Sequence, residues 1–300
     1  MKAIERKDLY ARITGQIVQS LEQGTRPWVR PWSTGHDGGS LIRPLRHNGQ
    51  AYSGINVLML WSAAAEHGFT APSWMTFQQA LAMKANVRKG EKGSLVVYAN
   101  TLTRTEDDGD GKEVERQIPF LKGYTVFNAE QIEGLPESYY GKPTPALAGP
   151  ARIERAEIFF ANTKADIRMR GHRAYYSTDQ DYIAIPPIEY FTDAESFYAT
   201  LSHECIHSTR HPSRLDRDFG RTTWGDPGYA REELVAELGA AFLCADLELT
   251  PEVREDHASY LASWLEVLKN DHRAIFQAAS HAQRAVDFLH GLQKPAGAEG

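Results

Sequence analysis

The stretch Leu201-Ser202-His203-Glu204-Cys205-Ile206-His207 constrains this chain more than any other, because it sets an H-E-x-x-H pentapeptide inside a run of helical periodicity. Histidines four residues apart share one helix face with Cβ atoms about 5–6 Å apart. Both imidazoles can then reach one Zn²⁺ at about 2.0–2.1 Å. Glu204 stands about 100° around the helix from His203, a position from which a carboxylate can act as a general base without binding the metal. Ala194, Phe197, Tyr198, Leu201 and Cys205 fall in one arc nearly opposite the histidines. The expectation is a helix that buries that arc and offers His203 and His207 to a cleft.

The spacing alone recurs by chance in unrelated chains, so a third ligand has to be found. In the segment from Tyr229 to Cys244, Glu233 and Glu237 share a face with Ala236, Ala240 and Ala241, while Leu234, Val235, Leu238, Phe242 and Leu243 fill much of the remainder. A helix apolar nearly all round is expected to be buried, and a buried carboxylate needs a partner. The reading is that Glu233 binds the metal and Glu237 accepts the second ring N–H of a ligating histidine. The alanines would let the two helices approach closely.

Other donors fit less well. His211 continues the i+4 ladder but sits eight residues from His203, about 12 Å along the axis. A third histidine at the metzincin spacing would fall at 213, which is Ser213. Cys244 lies on an apolar helix face and reads as core. The arrangement resembles zincin metallopeptidases whose third ligand is a glutamate on a following helix, with Glu233 and Glu237 matching their E-x-x-x-[D/E/N] pattern. That resemblance implies peptide hydrolysis with Glu204 as the base; Zn²⁺ is the expected ion, with another divalent metal such as Mn²⁺ as the alternative.

No run approaches 18 apolar residues, and Met1 to Gly24 carries charges throughout without a signal-like core, so no membrane association is expected. The only two cysteines, Cys205 and Cys244, fall in predicted buried helices and form no disulfide framework, which points to the cytoplasm. The net charge of −6 conceals an asymmetry. Residues 1–105 hold 13 Lys and Arg against 6 Asp and Glu, whereas residues 151–300 hold 16 against 24. A basic first third suggests a polyanion-binding module joined to something else.

That first third opens with a predicted amphipathic helix over 4–23, with Leu9, Ile13, Ile17 and Leu21 at i+4 spacing and Gly24 as its stop. Arg26-Pro27-Trp28-Val29-Arg30-Pro31-Trp32 then interleaves cations and rings, a pattern suited to single strands whose phosphates meet arginines and whose bases stack on indoles. The same residues would equally serve as core anchors of a loop. Helices are predicted near 55–67 and 76–86, the second with a capping box from Thr76 and Gln79. A basic turn at Arg88-Lys89-Gly90-Glu91-Lys92-Gly93 and a β-hairpin over 95–127 follow. The acidic tip Glu106 to Gly111 reads as a solvated turn, since Gln117 stands where a calcium loop would carry its Glu.

Five ordered motifs give this half a family likeness: Pro27-Trp28-x-x-Pro31-Trp32, Tyr52-x-Gly54-Ile55-Asn56, Trp74-x-Thr76-Phe77-x-Gln79-Ala80, Arg88-Lys89-Gly90-Glu91-Lys92-Gly93 and Val126-Phe127-Asn128-x-x-Gln131. Together they resemble the N-terminal single-stranded-DNA-binding domain of ArdC-type antirestriction proteins, a domain type also found in TraC-like conjugative primases. The resemblance implies contacts to single-stranded DNA, with Trp28, Arg30, Trp32, Arg43, Arg46, Tyr52, Trp74, Arg88, Lys89 and Lys92 as candidates. It also implies a role in protecting incoming conjugative DNA, with a host restriction component or another protein as partner or substrate.

Pro136, Pro143, Pro145, Gly149 and Pro150 mark a linker. The expected fold class is α+β in two domains, an N-terminal α/β single-strand-binding domain over 1–145 and a mainly helical zincin-like domain with a small sheet over 146–300. In the second, a helix near 151–164 precedes short strands near 166–170, 173–177 and 181–185, with Tyr182 to Ile185 as a candidate edge strand for substrate or, equally, an ordinary core strand. The histidine helix is expected over 193–211, ended by Pro212, with further helices near 230–247, 252–270 and 272–291. The rival reading is a single-strand binder whose metal is purely structural. A two-metal nuclease would need a second carboxylate cluster, which the sequence does not offer.

Overall fold

Gly24, in the left-handed region at φ 76°, ends a first helix whose Ile13, Ile17 and Leu21 are all buried. The computed structural model describes residues 2–28, 42–107, 113–140, 149–220, 226–249 and 257–293. Arg30, Trp32, the tip of the acidic turn, and Pro143 and Pro145 of the linker lie outside the described residues. In the first half the order is α1 (Lys2–Glu22), β1 (Leu45–Arg46), α2 (Ile55–His67), β2 (Ser73–Met75), α3 (Phe77–Ala82), β3 (Asn86–Val87), β4 (Ser94–Asp107), β5 (Glu113–Asn128) and β6 (Ile132–Glu133). The long β4–β5 hairpin extends a sheet of order β1-β2-β5-β4, and β3 pairs with β6 alongside. Helix α3 is shorter than its spacing predicts because Lys84 turns the chain at φ 60°.

The recurring motifs of this half act as scaffolding. Gly54 caps α2 at φ 58° and ψ −136°, a conformation open to glycine. Two residues on, the Asn56 side chain donates to Val97 O and accepts from Val97 N, each at 2.8 Å, so that it extends the sheet as a strand would. The expected capping box of Thr76 and Gln79 is present, and Asn128 with Gln131 forms another. Gln131 also donates to Glu91 Oε2 at 2.9 Å and Lys92 O at 3.0 Å, fixing the basic turn. A Cβ on Gly93 would lie 2.3 Å from Thr125 Cγ2, so only glycine fits there.

The second half runs α4 (Gly149–Asn162), β7 (Ile167–Met169), β8 (Tyr175–Ser177), β9 (Tyr182–Ile185), α5 (Ala194–Ser208), α6 (Pro227–Leu247), α7 (His257–Asn270) and α8 (Ala274–Gly291). Its sheet has the order β7-β9-β8, with β9 parallel to β7 and antiparallel to β8. The expectation that Tyr182 to Ile185 is an edge strand therefore fails. Both sides of β9 are taken by neighbours, and no free row of amides is left for a substrate.

One continuous apolar core joins the halves. Trp28 is fully buried beside Trp264, their rings 6.1 Å apart, and Trp61 packs on Phe242 at 5.8 Å. Arg43 reaches across to Asp246 at 2.9 and 3.2 Å, and Thr14 Oγ1 donates to His272 O at 2.7 Å. Among the described residues, no helix is long and apolar enough to cross a membrane.

Candidate metal centre

Asp193 starts α5 by accepting the Ser196 amide at 2.7 Å. The helix stops at Ser208, short of Pro212, because arginines satisfy its last carbonyls: Arg217 donates to Ile206 O at 3.1 Å and Arg214 to Ser208 O at 2.7 Å. Every residue from Ser196 to Ser208 is buried. The predicted apolar arc is inside, but the opposite face is covered too, leaving His203 and His207 only 5% and 9% exposed. Helix α6 covers that face. It approaches so closely that a Cβ on Gly239 would stand 2.9 Å from three atoms of Ile206.

The packing brings together His203, His207 and Glu233, the one three-donor cluster among the described residues able to hold an ion. His203 Nε2 and His207 Nε2 are 3.1 Å apart, and the Glu233 oxygens lie 3.3 Å from His207 Nε2 and 3.6 Å from His203 Nε2. Tetrahedral bonds of about 2.0–2.1 Å place ligand atoms about 3.3 Å from one another, so these separations fit one small divalent ion. Two imidazole nitrogens and a carboxylate, brought together by the packing of α5 and α6, are the donor set such an ion requires. Glu204, on the next position of α5, is 3% exposed.

Second contacts orient the histidines. His207 Nδ1 lies 3.1 Å from Glu232 Oε1, and Arg217 grips the same carboxylate at 2.7 and 2.8 Å. Burial opposes charge on Glu232, but the hydrogen bonds from Arg217 and His207 hold its carboxyl down to about 2. Glu233 is likewise held far below the ordinary range, against burial, by the adjacent imidazoles. Burial alone would lower His207, yet the Glu233 and Glu232 carboxylates outweigh it and push the imidazole up to about 10. Glu232 is a site residue with no role among the sequence expectations, its one signal being an acid next to Glu233 in a helix expected to be buried.

Glu237 sits beside the other histidine. Its Oε2 is 3.8 Å from His203 Nδ1, which has no hydrogen-bond partner among the described residues, so the expected acceptor is adjacent but farther than a made bond. Its Oε1 accepts from Trp28 Nε1 at 3.3 Å and lies 3.6 Å from Arg26 Nη1. Cys205 and Cys244 are buried; Cys244 faces Ser202 Oγ at 3.9 Å, and burial pushes its thiol up to about 12. His211 is turned away, its Nδ1 2.8 Å from Ser213 Oγ.

The strand-binding candidates divide. Trp28, Tyr52 and Trp74 are 0%, 4% and 2% exposed, so their rings serve as core and present no face to a base. Arg43 is buried, spent on Asp246 and stacked over Phe242. Arg46, Arg88, Lys89 and Lys92 are at the surface, Arg46 over the Tyr52 ring at 5.3 Å and Arg88 paired with Glu91 at 2.9 Å. Arg30 and Trp32 lie outside the described residues. Exposed aromatic surface in this half instead comes from Phe77, 46% exposed, and Tyr98, 48% exposed, neither singled out from sequence.

An H-E-x-x-H helix closed by a glutamate from the next long helix defines a zincin-like metallopeptidase domain. Residues 154–281 match the family model described as a zincin-like metallopeptidase, and residues 7–127 match the N-terminal domain of the anti-restriction factor ArdC. The crystal structure of the antirestriction protein ArdC from plasmid R388 covers 95% of this chain and 98% of its own at 47% identity, with a TM-score of 0.80 to the metal-free form and 0.77 to the Mn(II)-bound form. An uncharacterized protein, y4eC, of Sinorhizobium fredii is 44% identical over 295 residues, covering 96% of this chain and 94% of that protein. The DNA primase TraC of Escherichia coli is 37% identical over 304 residues, but the chain spans only 28% of the primase's length. This chain belongs to the ArdC antirestriction family.

Proposed function

We propose that this chain binds single-stranded DNA through its N-terminal domain and hydrolyses peptide bonds at Zn²⁺ held by His203, His207 and Glu233. In this reading it protects incoming conjugative plasmid DNA from host restriction in the cytoplasm, with a restriction component or another protein as substrate, and the domain boundary falls near 145. The observation that carries the peptidase half is the convergence of the His203 and His207 Nε2 atoms and the Glu233 carboxylate, one ligand atom from each lying within 4.8 Å of the others, with Glu204 buried on the same helix. A divalent ion there supplies Lewis-acid polarisation and acidifies water. Glu204 takes the proton from the attacking water and returns it to the departing amine. Glu232 holds His207 in register for that step.

The strand-binding half rests on the exposed cations Arg46, Arg88, Lys89 and Lys92 and on Phe77 as an exposed ring. Replacing Arg88, Lys89 and Lys92 together with alanine in the full chain should flatten the salt dependence of single-strand affinity by about 0.7 in log–log slope per lost phosphate contact. An unchanged slope removes the basic turn from the interface. Peptide-library digestion by the metal-loaded chain, read by mass spectrometry against Glu204→Gln, tests the hydrolase half. The low exposure of His203 and His207 favours a second reading, a metal that only holds α5 to α6; it predicts no difference between the two digests.

A further inference from the structure

The face of the β7-β9-β8 sheet turned away from the core carries a cluster that the metal chemistry does not use. Arg168 and Tyr175 both stand opposite Ala184, one on each flanking strand, so with Tyr182 they share one sheet face. Ile167, Ile183 and Ile185 point the other way, into the core. On the outer face the Arg168 guanidinium carbon lies 4.1 Å from the centroid of the Tyr182 ring, and that of Arg170 lies 4.6 Å from it. Arg170 also donates to the Tyr182 hydroxyl, which lies 3.0 Å from the Tyr175 hydroxyl.

Two like charges are thus fixed against one ring, and among the described residues only Arg168 of the two pairs with a carboxylate, Asp166 at 2.5 Å. Asp181, immediately before β9, is engaged by Arg214 and Tyr176. Residues 164–175 hold four Lys and Arg against one acid, inside a half of the chain where acids outnumber bases 24 to 16. Tyr175 is 44% exposed at the sheet's edge strand. Guanidinium planes already ordered by stacking present their N–H forks to an anion with little further entropy to lose. An exposed phenol beside them gives an unpaired base a surface to stack on, whereas a duplex keeps its bases inside.

We propose that this sheet face is a second binding surface for single-stranded nucleic acid, located on the metallopeptidase domain. Arg168 and Arg170 take the phosphates and Tyr175 takes a base. The proposal rests on the reading of the chain as a single-strand binder, and adds to it a contact outside the N-terminal domain.

The test uses the full chain with fluorescein-labelled oligothymidine of about 40 nucleotides, several times the usual site size of one module. Arg168→Ala/Arg170→Ala should weaken binding about tenfold at low salt and reduce the log–log salt slope by about 1.4, for two phosphates lost. Tyr175→Ala, a milder change at an exposed position, should weaken binding with the slope retained. Oligomers carrying 5-iododeoxyuridine, irradiated on the wild-type chain, should attach to the peptide containing Tyr175. Wild-type binding with unchanged affinity and slope in the double variant overturns the second surface and leaves the N-terminal one standing. Failure of the wild-type chain to bind any single strand overturns both. Displacement of the probe by poly-glutamate at lower concentration than by unlabelled oligothymidine also overturns the proposal, in favour of an acidic peptide.

Discussion

Trp28 Nε1 donates to Glu237 Oε1 at 3.3 Å, and the other oxygen of that carboxylate stands 3.8 Å from His203 Nδ1. A side chain of the N-terminal domain is therefore two contacts away from the imidazole of a proposed metal ligand. Trp28→Phe keeps most of the buried ring and removes the N–H. Metal affinity should fall about tenfold, the lower end of what losing an outer partner does. Competition against a chromophoric chelator measures it; unchanged affinity would mean Glu237 is held without Trp28.

Arg217 and Glu232 form an ion pair whose side chains are 1% and 3% exposed. Arg217→Ala leaves a buried carboxylate with only an imidazole beside it, and should destabilise the fold by about 3–5 kcal/mol in urea unfolding. Arg217→Ala/Glu232→Gln should cost less than the two single changes summed, because the stranded charge is gone. Strict additivity would contradict the pairing.

Glu204→Gln should retain metal at wild-type stoichiometry while losing hydrolysis by a factor of about 100 or more. Elemental analysis and peptide digestion on one preparation check both. Loss of metal together with activity would make Glu204 a ligand rather than a base.

The tie between the domains should be acid-sensitive. Burial alone would raise the Asp246 carboxyl, but the hydrogen bond from His290 and the Arg43 guanidinium outweigh it and hold the group below its ordinary value. A depressed folded value contributes stability that is fully present above about pH 4, the unfolded carboxylate range. That contribution disappears as the pH falls through the lower folded value. Wild type should therefore be more stable than Asp246→Asn at pH 7, and thermal melts of the two should converge in acid. A gap independent of pH would assign the tie to shape rather than charge.

What the sequence revealed follows the range of the interactions. His203, His207 and Glu233 were legible because i+4 spacing and helical periodicity are local properties, and α5 and α6 need only pack side by side for the three to meet. Glu232 was passed over because its partner Arg217 lies in irregular chain after α5, where no periodicity predicts direction. Trp28, open to either a strand-binding or a core-anchor reading, is core, and Arg43, a candidate for phosphate contact, is buried. Their partners, Glu237 and Asp246, are 209 and 203 residues away, and only the shared core brings them together. Tyr182 to Ile185 is a short apolar run that fits an edge or a central strand equally, because strand order is set by pairing and not by pattern. The motifs around Gly54, Asn56, Thr76 and Gln131 identified the family correctly while marking caps and turns rather than contacts with a ligand.

The central claim is that His203, His207 and Glu233 hold one divalent ion. Elemental analysis of the purified full chain, beside Glu233→Ala, tests it most directly. One equivalent of zinc or manganese per chain, lost in Glu233→Ala while thermal unfolding remains cooperative, is the predicted result. A Glu233→Ala chain that keeps its full equivalent of metal would contradict the account.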